Sequence, residues 1–154
     1  MSAASTEHGE WSLLLDDQLC FALYAASRAV TGLYRPVLDE LGLTYPQYLV
    51  LVVLWERGSA QVKDLAAALH LDYGTLSPLL KRLTANGLVR RERRADDERS
   101  VQITLTEEGA ALRDEAYAVP KTLGEVMGLG DEQFNQLRQL LRQLTNNVTA
   151  HTGR

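Results

Sequence analysis

The chain has 154 residues, 45% hydrophobic and 23% charged, the balance of one soluble domain or of one domain with a helical extension. General disorder is argued against, no apolar run reaches the roughly 18 residues of a membrane span, and the small polar residues Met1 to Glu10 carry no signal-peptide pattern. The net charge of −4 argues, taken alone, against a nucleic-acid partner.

In chain order, the first periodic segment runs from about Leu13 to Leu41. Leu15, Leu19, Ala22, Ala26, Val30, Leu33, Val37 and Leu41 recur at spacings of three and four and mark one helical face. Asp16 and Asp17 fall in its first turns, and Pro36 predicts a kink near its end. Thr44 with Gln47 predicts a capping box, with Pro46 in the tolerated first turn, for a helix to about Glu56 closed by Arg57-Gly58-Ser59. A short helix follows from about Val62 to Leu69, and another from about Tyr73 to Asn86 with Gly87 just past its end. Two helices, a tight turn and a third helix read as a helix-turn-helix unit.

The period then changes. Val89 to Arg93 and Val101 to Leu105 are β-prone, and the polar link Ala95 to Arg99 makes them a hairpin. Thr106 predicts the cap of a helix running to about Leu129, kinked at Pro120. Asp131 predicts the cap of the last helix, striped by Phe134, Leu137, Leu140, Leu141, Leu144 and Val148. The expected fold is mainly α with a small β-hairpin wing, a winged helix-turn-helix. Residues 44–105 form the DNA-binding domain, and 13–43 with 106–148 form a helical dimerisation layer. Residues 1–12 are a flexible arm and 149–154 a tail.

The average charge hides an asymmetry. From Lys81 to Arg99 seven basic residues face four acidic ones, leaving +3 there and −7 on the rest of the chain. A basic hairpin straight after a helix-turn-helix favours DNA over a merely solvated surface. The start of the fourth helix offers Asp72, Tyr73, Thr75 and Ser77 to base edges in a major groove. Lys81 and Arg82 reach phosphates, and the Arg90 to Arg94 cluster, Arg94 included, serves phosphate or the minor groove. Pairing two chains through the terminal helices would set two recognition helices about one DNA turn, roughly 34 Å, apart.

The single cysteine, Cys20, excludes an intrachain disulfide and any CxxC redox or zinc motif, and points most simply to the cytosol. A lone cysteine is most often a small core hydrophobe. Against that, four of the six tyrosines (Tyr24, Tyr34, Tyr45, Tyr48) crowd between positions 24 and 48, and Tyr24 lies one helical turn from Cys20. Phenol hydroxyls can donate hydrogen bonds to a thiolate, and an early position in a helix favours the anion, whereas Asp16 and Asp17 oppose it. Tyr45 and Tyr48 beside Trp55 also read as plain core. His8, His70 and His151 lie too far apart to suggest a metal site, and no cofactor motif is present.

The stretch Asp17-Gln18-Leu19-Cys20-Phe21-Ala22-Leu23-Tyr24 closely resembles the sensor helix of the organic-hydroperoxide-resistance repressors of the MarR family. So do Tyr34-Arg35-Pro36 and Leu43-Thr44-Tyr45-Pro46-Gln47-Tyr48 with Leu54-Trp55-Glu56. Leu71 to Leu83 looks like that family's recognition helix. The wing Asp96-Asp97-Glu98-Arg99 and the cap Leu105-Thr106-Glu107-Glu108-Gly109 are shared with MarR proteins more widely. The resemblance implies a dimeric, non-enzymatic repressor whose cysteine, here Cys20, is oxidised by organic hydroperoxides, with release of operator DNA. Tyr34 and Tyr45 match tyrosines that reach the cysteine across the dimer, and Tyr24 matches one near it. Asp72, Tyr73 and Thr75 match recognition-helix contacts, and Asp97 and Arg99 match wing contacts. Tyr73 stands where the family usually carries a small serine. With no second cysteine the chain looks like the one-cysteine type, for which a low-molecular-weight thiol is a candidate partner through a mixed disulfide. Two other functions compete. One is a repressor answering a phenolic or other non-redox ligand. The other is a thiol peroxidase, disfavoured because Arg28 lies two turns from Cys20 and no resolving cysteine exists.

Overall fold

The computed structural model describes residues 11–93 and 101–153. The chain divides into two compact units, Met1–Val119 and Pro120–Arg154. Elements follow in the order α1 (Leu19–Leu41), α2 (Tyr45–Arg57), β1 (Ser59–Gln61), α3 (Val62–Leu69), α4 (Tyr73–Ala85), β2 (Val89–Arg93), β3 (Val101–Leu105), α5 (Glu107–Ala116), α6 (Ala118–Val126) and α7 (Asp131–Thr152). This is a mainly helical winged helix-turn-helix with a small sheet, as expected from the order of periodic segments. Among the described residues no single helix is long and apolar enough to cross a membrane.

The core of the first unit is built where α2, α3, α4 and the sheet meet. Val50, Leu51 and Leu54 of α2, Leu65 of α3, Leu76, Leu80 and Leu83 of α4, and Ile103 of β3 are fully buried. Their spacings of three and four on α4 leave Gly74, Pro78, Lys81 and Ala85 on the opposite face. At the head of α2 the capping box is complete. Thr44 N–H donates to Gln47 Oε1 at 3.0 Å and Gln47 N–H to Thr44 Oγ1 at 3.4 Å. That reciprocity explains how a polar Gln47 can be buried without cost from unmet hydrogen bonds. At the far end of α4, Gly87 takes a left-handed φ of 76° and Leu88 N–H reaches back to Leu83 O at 3.0 Å, so the chain leaves the helix and enters β2 in two residues.

The boundaries differ from expectation in five places. The first helix begins at Leu19. Before it a 3₁₀ turn spans Leu15–Asp17, so Asp16 and Asp17 precede α1, and Gln18 Nε2 ties the segment back to the carbonyls of Ser12 and Leu14 at 2.7 and 3.1 Å. Cys20 is therefore the second residue of α1. Secondly, α4 ends at Ala85, with Asn86 as its cap. Thirdly, Ser59–Gln61, assigned from sequence to a closing loop, forms β1 and pairs antiparallel with β3, giving the sheet order β1-β3-β2. Three residues are too few to show a period. Fourthly, the long helix after Thr106 is two, α5 and α6, parted at Tyr117. Pro120 has no N–H for the carbonyl of Ala116, which is where the helix must break. Finally, α7 is capped by Gly130, whose N–H donates to Gln133 Oε1 at 3.3 Å, with Asp131 its first residue.

Both long terminal helices lack cover. In α1 only Tyr34 and Leu38 are buried, both in its second half, and α7 has no buried residue along 22 positions. Leu15, Leu19, Phe21 and Tyr24 are exposed at the start of the first unit, and Phe134, Leu137, Leu140, Leu141 and Val148 along α7.

Candidate functional site: a sensor helix and a DNA-reading face

Cys20 is exposed and, among the described residues, receives no hydrogen bond from its own chain. One turn along, the Tyr24 hydroxyl accepts from Arg28 Nη1 at 2.9 Å, and the guanidinium also lies 5.5 Å from the Tyr24 ring centre. The Tyr24 hydroxyl keeps its own proton to donate. Tyr34 sits fourteen residues beyond Cys20 on α1, which at 1.5 Å per residue is about 21 Å along the helix. Cys20 and Tyr34 of one chain are thus out of reach of each other.

Tyr34 instead heads an aromatic ladder. Its ring stacks on Tyr45 at 5.6 Å, Tyr45 lies 6.0 Å from Tyr48, and Tyr48 meets Trp55 edge-on at 6.2 Å. Positions 45, 48 and 55 share one face of α2, so the helix aligns three rungs and α1 supplies the fourth. The ladder ends in a hydrogen bond, Trp55 Nε1 to the carbonyl of Gly109 on α5, at 2.8 Å. The crowding of Tyr34, Tyr45 and Tyr48 was visible in sequence. The link to Gly109, 54 residues away, was not, because no local signal joins an indole to a distant backbone carbonyl.

Burial pushes the Tyr34, Tyr45 and Tyr48 hydroxyls above the ordinary phenol value. The charge of Tyr45 adds to the rise at Tyr48, and the charges of Tyr45 and Tyr48 add to the rise at Tyr34. Neutral donors near pH 7 as any phenol is, all three keep that state to higher pH. A folded-state value above the unfolded 10.0 means that their contribution to stability is complete below pH 10 and is lost as pH climbs through the raised values. In an alkaline titration followed by tyrosinate absorbance, a component worth three phenols is expected to ionise above pH 10 in the native chain and to fall back to about 10 in guanidinium. A native titration curve that coincides with the curve in guanidinium would contradict the buried ladder.

The residues that sequence offers to DNA lie on α4 and on β2 and beyond it. Asp72 caps α4, its carboxylate accepting from Thr75 N–H at 2.8 Å. This gives Asp72 a structural duty beside any contact with DNA. Tyr73, Thr75, Lys81 and Arg82 are exposed and Ser77 is partly covered. Beyond Val89, β2 is exposed, so Arg90, Arg91 and Arg93 stand in solvent. Arg90 and Glu92 approach to 3.9 Å on an open surface, a pair that contributes little and can be exchanged for phosphate. The remaining wing candidates, Arg94, Asp97 and Arg99, lie outside the described residues.

Residues 32–116 match the family described as transcriptional regulator SarA/Rot. The organic hydroperoxide resistance transcriptional regulator of Bacillus subtilis (strain 168) is 49% identical over 126 residues, 82% of this chain and 84% of that protein. Among solved structures, reduced AbfR of Staphylococcus epidermidis bound to DNA superposes with a TM-score of 0.72 at 36% identity, over 87% of this chain and 94% of that one. CouR of Rhodococcus jostii RHA1 bound to p-coumaroyl-CoA superposes with a TM-score of 0.75 at 33% identity, over 86% and 95%.

Proposed function

Because this chain belongs to the MarR-type winged-helix transcriptional regulators, and among them to the organic-hydroperoxide-resistance branch, we propose that it is a cytoplasmic, homodimeric repressor that Cys20 disarms. The carrying observation is Cys20 exposed at the second position of a helix whose first half has no cover, in a chain with a winged helix-turn-helix. The thiolate attacks the terminal oxygen of an organic hydroperoxide. The O–O bond breaks, the sulfur becomes a sulfenic acid, and the alkoxide leaves and takes a proton to become the alcohol.

Dimerisation gives the uncovered helices their partner. Each buried leucine or phenylalanine stabilises by about 1.5–3 kcal/mol, so the exposed side chains of α1 and α7 represent a large unused apolar surface. The 21 Å of helix between Cys20 and Tyr34 supports the same reading. Neutral Tyr34 and Tyr45 can donate to Cys20 only from a second chain, while Tyr24 donates from the same helix. On DNA, Tyr73, Thr75 and Ser77 face base edges with Asp72 at the helix head, Lys81 and Arg82 hold phosphates, and Arg94, Asp97 and Arg99 belong to the wing contact.

The test is fluorescence anisotropy on a palindromic operator from beside the chain's own gene, with cumene hydroperoxide added to the complex. About a hundredfold weaker binding is expected, equivalent to about 2.7 kcal/mol of coupling between sulfur and DNA. A second reading, release by a phenolic ligand, draws on the likeness to CouR and on a cavity of about 260 Å³ beside Tyr45, lined in part by Thr31, Arg35 and Pro46. Release by a phenolic acid with none by peroxide would select it.

The fate of the sulfenic acid follows from the cysteine count. This chain carries no second thiol to resolve it. A low-molecular-weight thiol then condenses with it, forming a mixed disulfide and water. Intact-mass spectrometry after peroxide is expected to show the thiol adduct, and full reversal by dithiothreitol only when that thiol was present. Complete, reversible DNA release by peroxide alone, with no adduct, would refute the requirement.

A further inference from the structure

The ladder described above ends at a junction where the end of α4, the start of β2, the end of β3 and α5 are tied together. Gly109 N–H donates to Thr106 Oγ1 at 3.1 Å. That hydroxyl donates to Gly87 O at 2.6 Å, and Thr106 N–H donates to Leu88 O at 3.1 Å. Gly87 and Leu88 close α4 and open β2, and Thr106 follows β3 directly. Gly109 also packs closely on this junction, since a Cβ there would overlap the Leu88 carbonyl oxygen, so hydrogen bonds and contact tie the same segments together. Whatever displaces the Gly109 carbonyl therefore displaces the root of the wing and the end of the recognition helix together.

The geometry points to Trp55 as the positioning residue that carries the state of Cys20 to the wing root. This rests on the peroxide-sensing reading, in which Tyr34 and Tyr45 touch the partner's sulfur. Their rings are the first two rungs of a contiguous stack whose last rung holds Gly109. When oxidation alters the contact of Tyr34 and Tyr45 with the sulfur, the rings resettle, Tyr48 follows through contact, and Trp55 draws the Gly109 carbonyl along through its N–H. Among the described residues, the Trp55 N–H adds a directed hydrogen bond at the end of a chain of ring contacts.

Two measurements test the link, both on the full chain. In Trp11→Phe, Trp55 is the only indole, since the chain has two tryptophans. Its emission is expected to shift when cumene hydroperoxide oxidises Cys20, and to stay still in Trp11→Phe/Cys20→Ser. An unmoved emission on full oxidation overturns the inference. The second variant, Trp55→Phe, keeps a ring against Tyr48 and removes the donor. It is expected to oxidise at the wild-type rate by intact mass and to bind operator, when reduced, within about threefold of wild type. On oxidation it should lose less than about tenfold in affinity, where wild type loses about a hundredfold. Equal losses in the two proteins overturn the link while leaving Cys20 sensing intact. A wild type that keeps its operator when oxidised overturns the sensing reading itself, and the link with it. Should Trp55→Phe prove too unstable to bind DNA, the emission experiment decides alone.

Discussion

Cys20→Ser is expected to bind the operator as tightly as wild type and to hold it, within about twofold, through a cumene hydroperoxide titration that weakens wild type about a hundredfold. The physical basis is the difference between the two atoms. A serine hydroxyl stays neutral near neutral pH and does not attack an O–O bond, whereas the sulfur anion does. The substitution is close to isosteric, and Cys20 is exposed with no hydrogen bond from its own chain among the described residues. Folding and reduced-state binding therefore have little to lose. Release from both proteins would show that another group senses the peroxide. Retention by both would leave Cys20 as part of an apolar interface and move attention to the cavity beside Tyr45.

Gly109→Ala is expected to be among the most destabilising single methyl additions available in this fold. Its Cβ would overlap the Leu88 carbonyl oxygen and lie 3.2 Å from Leu105 Cδ2. The first obstacle is backbone, and no rotamer change relieves it. Overpacking of this kind costs about 3 kcal/mol or more when main chain must shift. For a chain of this size that is a fall in Tm of roughly 10 °C, with loss of operator affinity as the wing root opens. Thermal melting followed by circular dichroism measures the first, and anisotropy the second. A melting temperature within about 2 °C of wild type would show that α5 can slide off Leu88 freely. That result would also remove the rigid joint on which the coupling through Trp55 depends.

In the dimer proposed above, the two expectations concern opposite ends of one path. Cys20 lies on a helix whose start has no cover, and Gly109 lies where α5, β3 and β2 are clamped. The ladder that ends at Gly109 is four rings that carry no charge near neutral pH, an indole and three phenols whose ordinary value of 10.0 burial raises further. A neutral stack is a means of passing displacement rather than charge, and packed rings move between discrete arrangements instead of deforming smoothly.

Much of this was legible without coordinates, because it is local. Periodicity marked α2, α3, α4 and the hairpin strands nearly to the residue, since a helix buries one face and a half-buried strand alternates. Thr44 with Gln47, and Thr106 before Glu107 and Glu108, announced helix starts through hydrogen bonds that span only three residues. The cysteine motif and its tyrosines suggested the sensor by resemblance. What depends on distant parts of the chain had to come from the tertiary structure. The three residues of β1 acquire strand character only by pairing with β3 across more than forty positions. The break at Tyr117, rather than a bend at Pro120, reflects the missing N–H of Pro120, which cannot serve the carbonyl of Ala116 one turn earlier. Tyr48, readable as core, became a rung only once Tyr45 and Trp55 were seen on either side of it. Gly109, which in sequence is one letter of a family motif, became the joint of the DNA-reading unit because three separate segments converge on a position with no space for a side chain. Local hydrogen bonding and periodicity decide where elements begin. Which of them touch is decided by packing between residues that the linear order keeps apart.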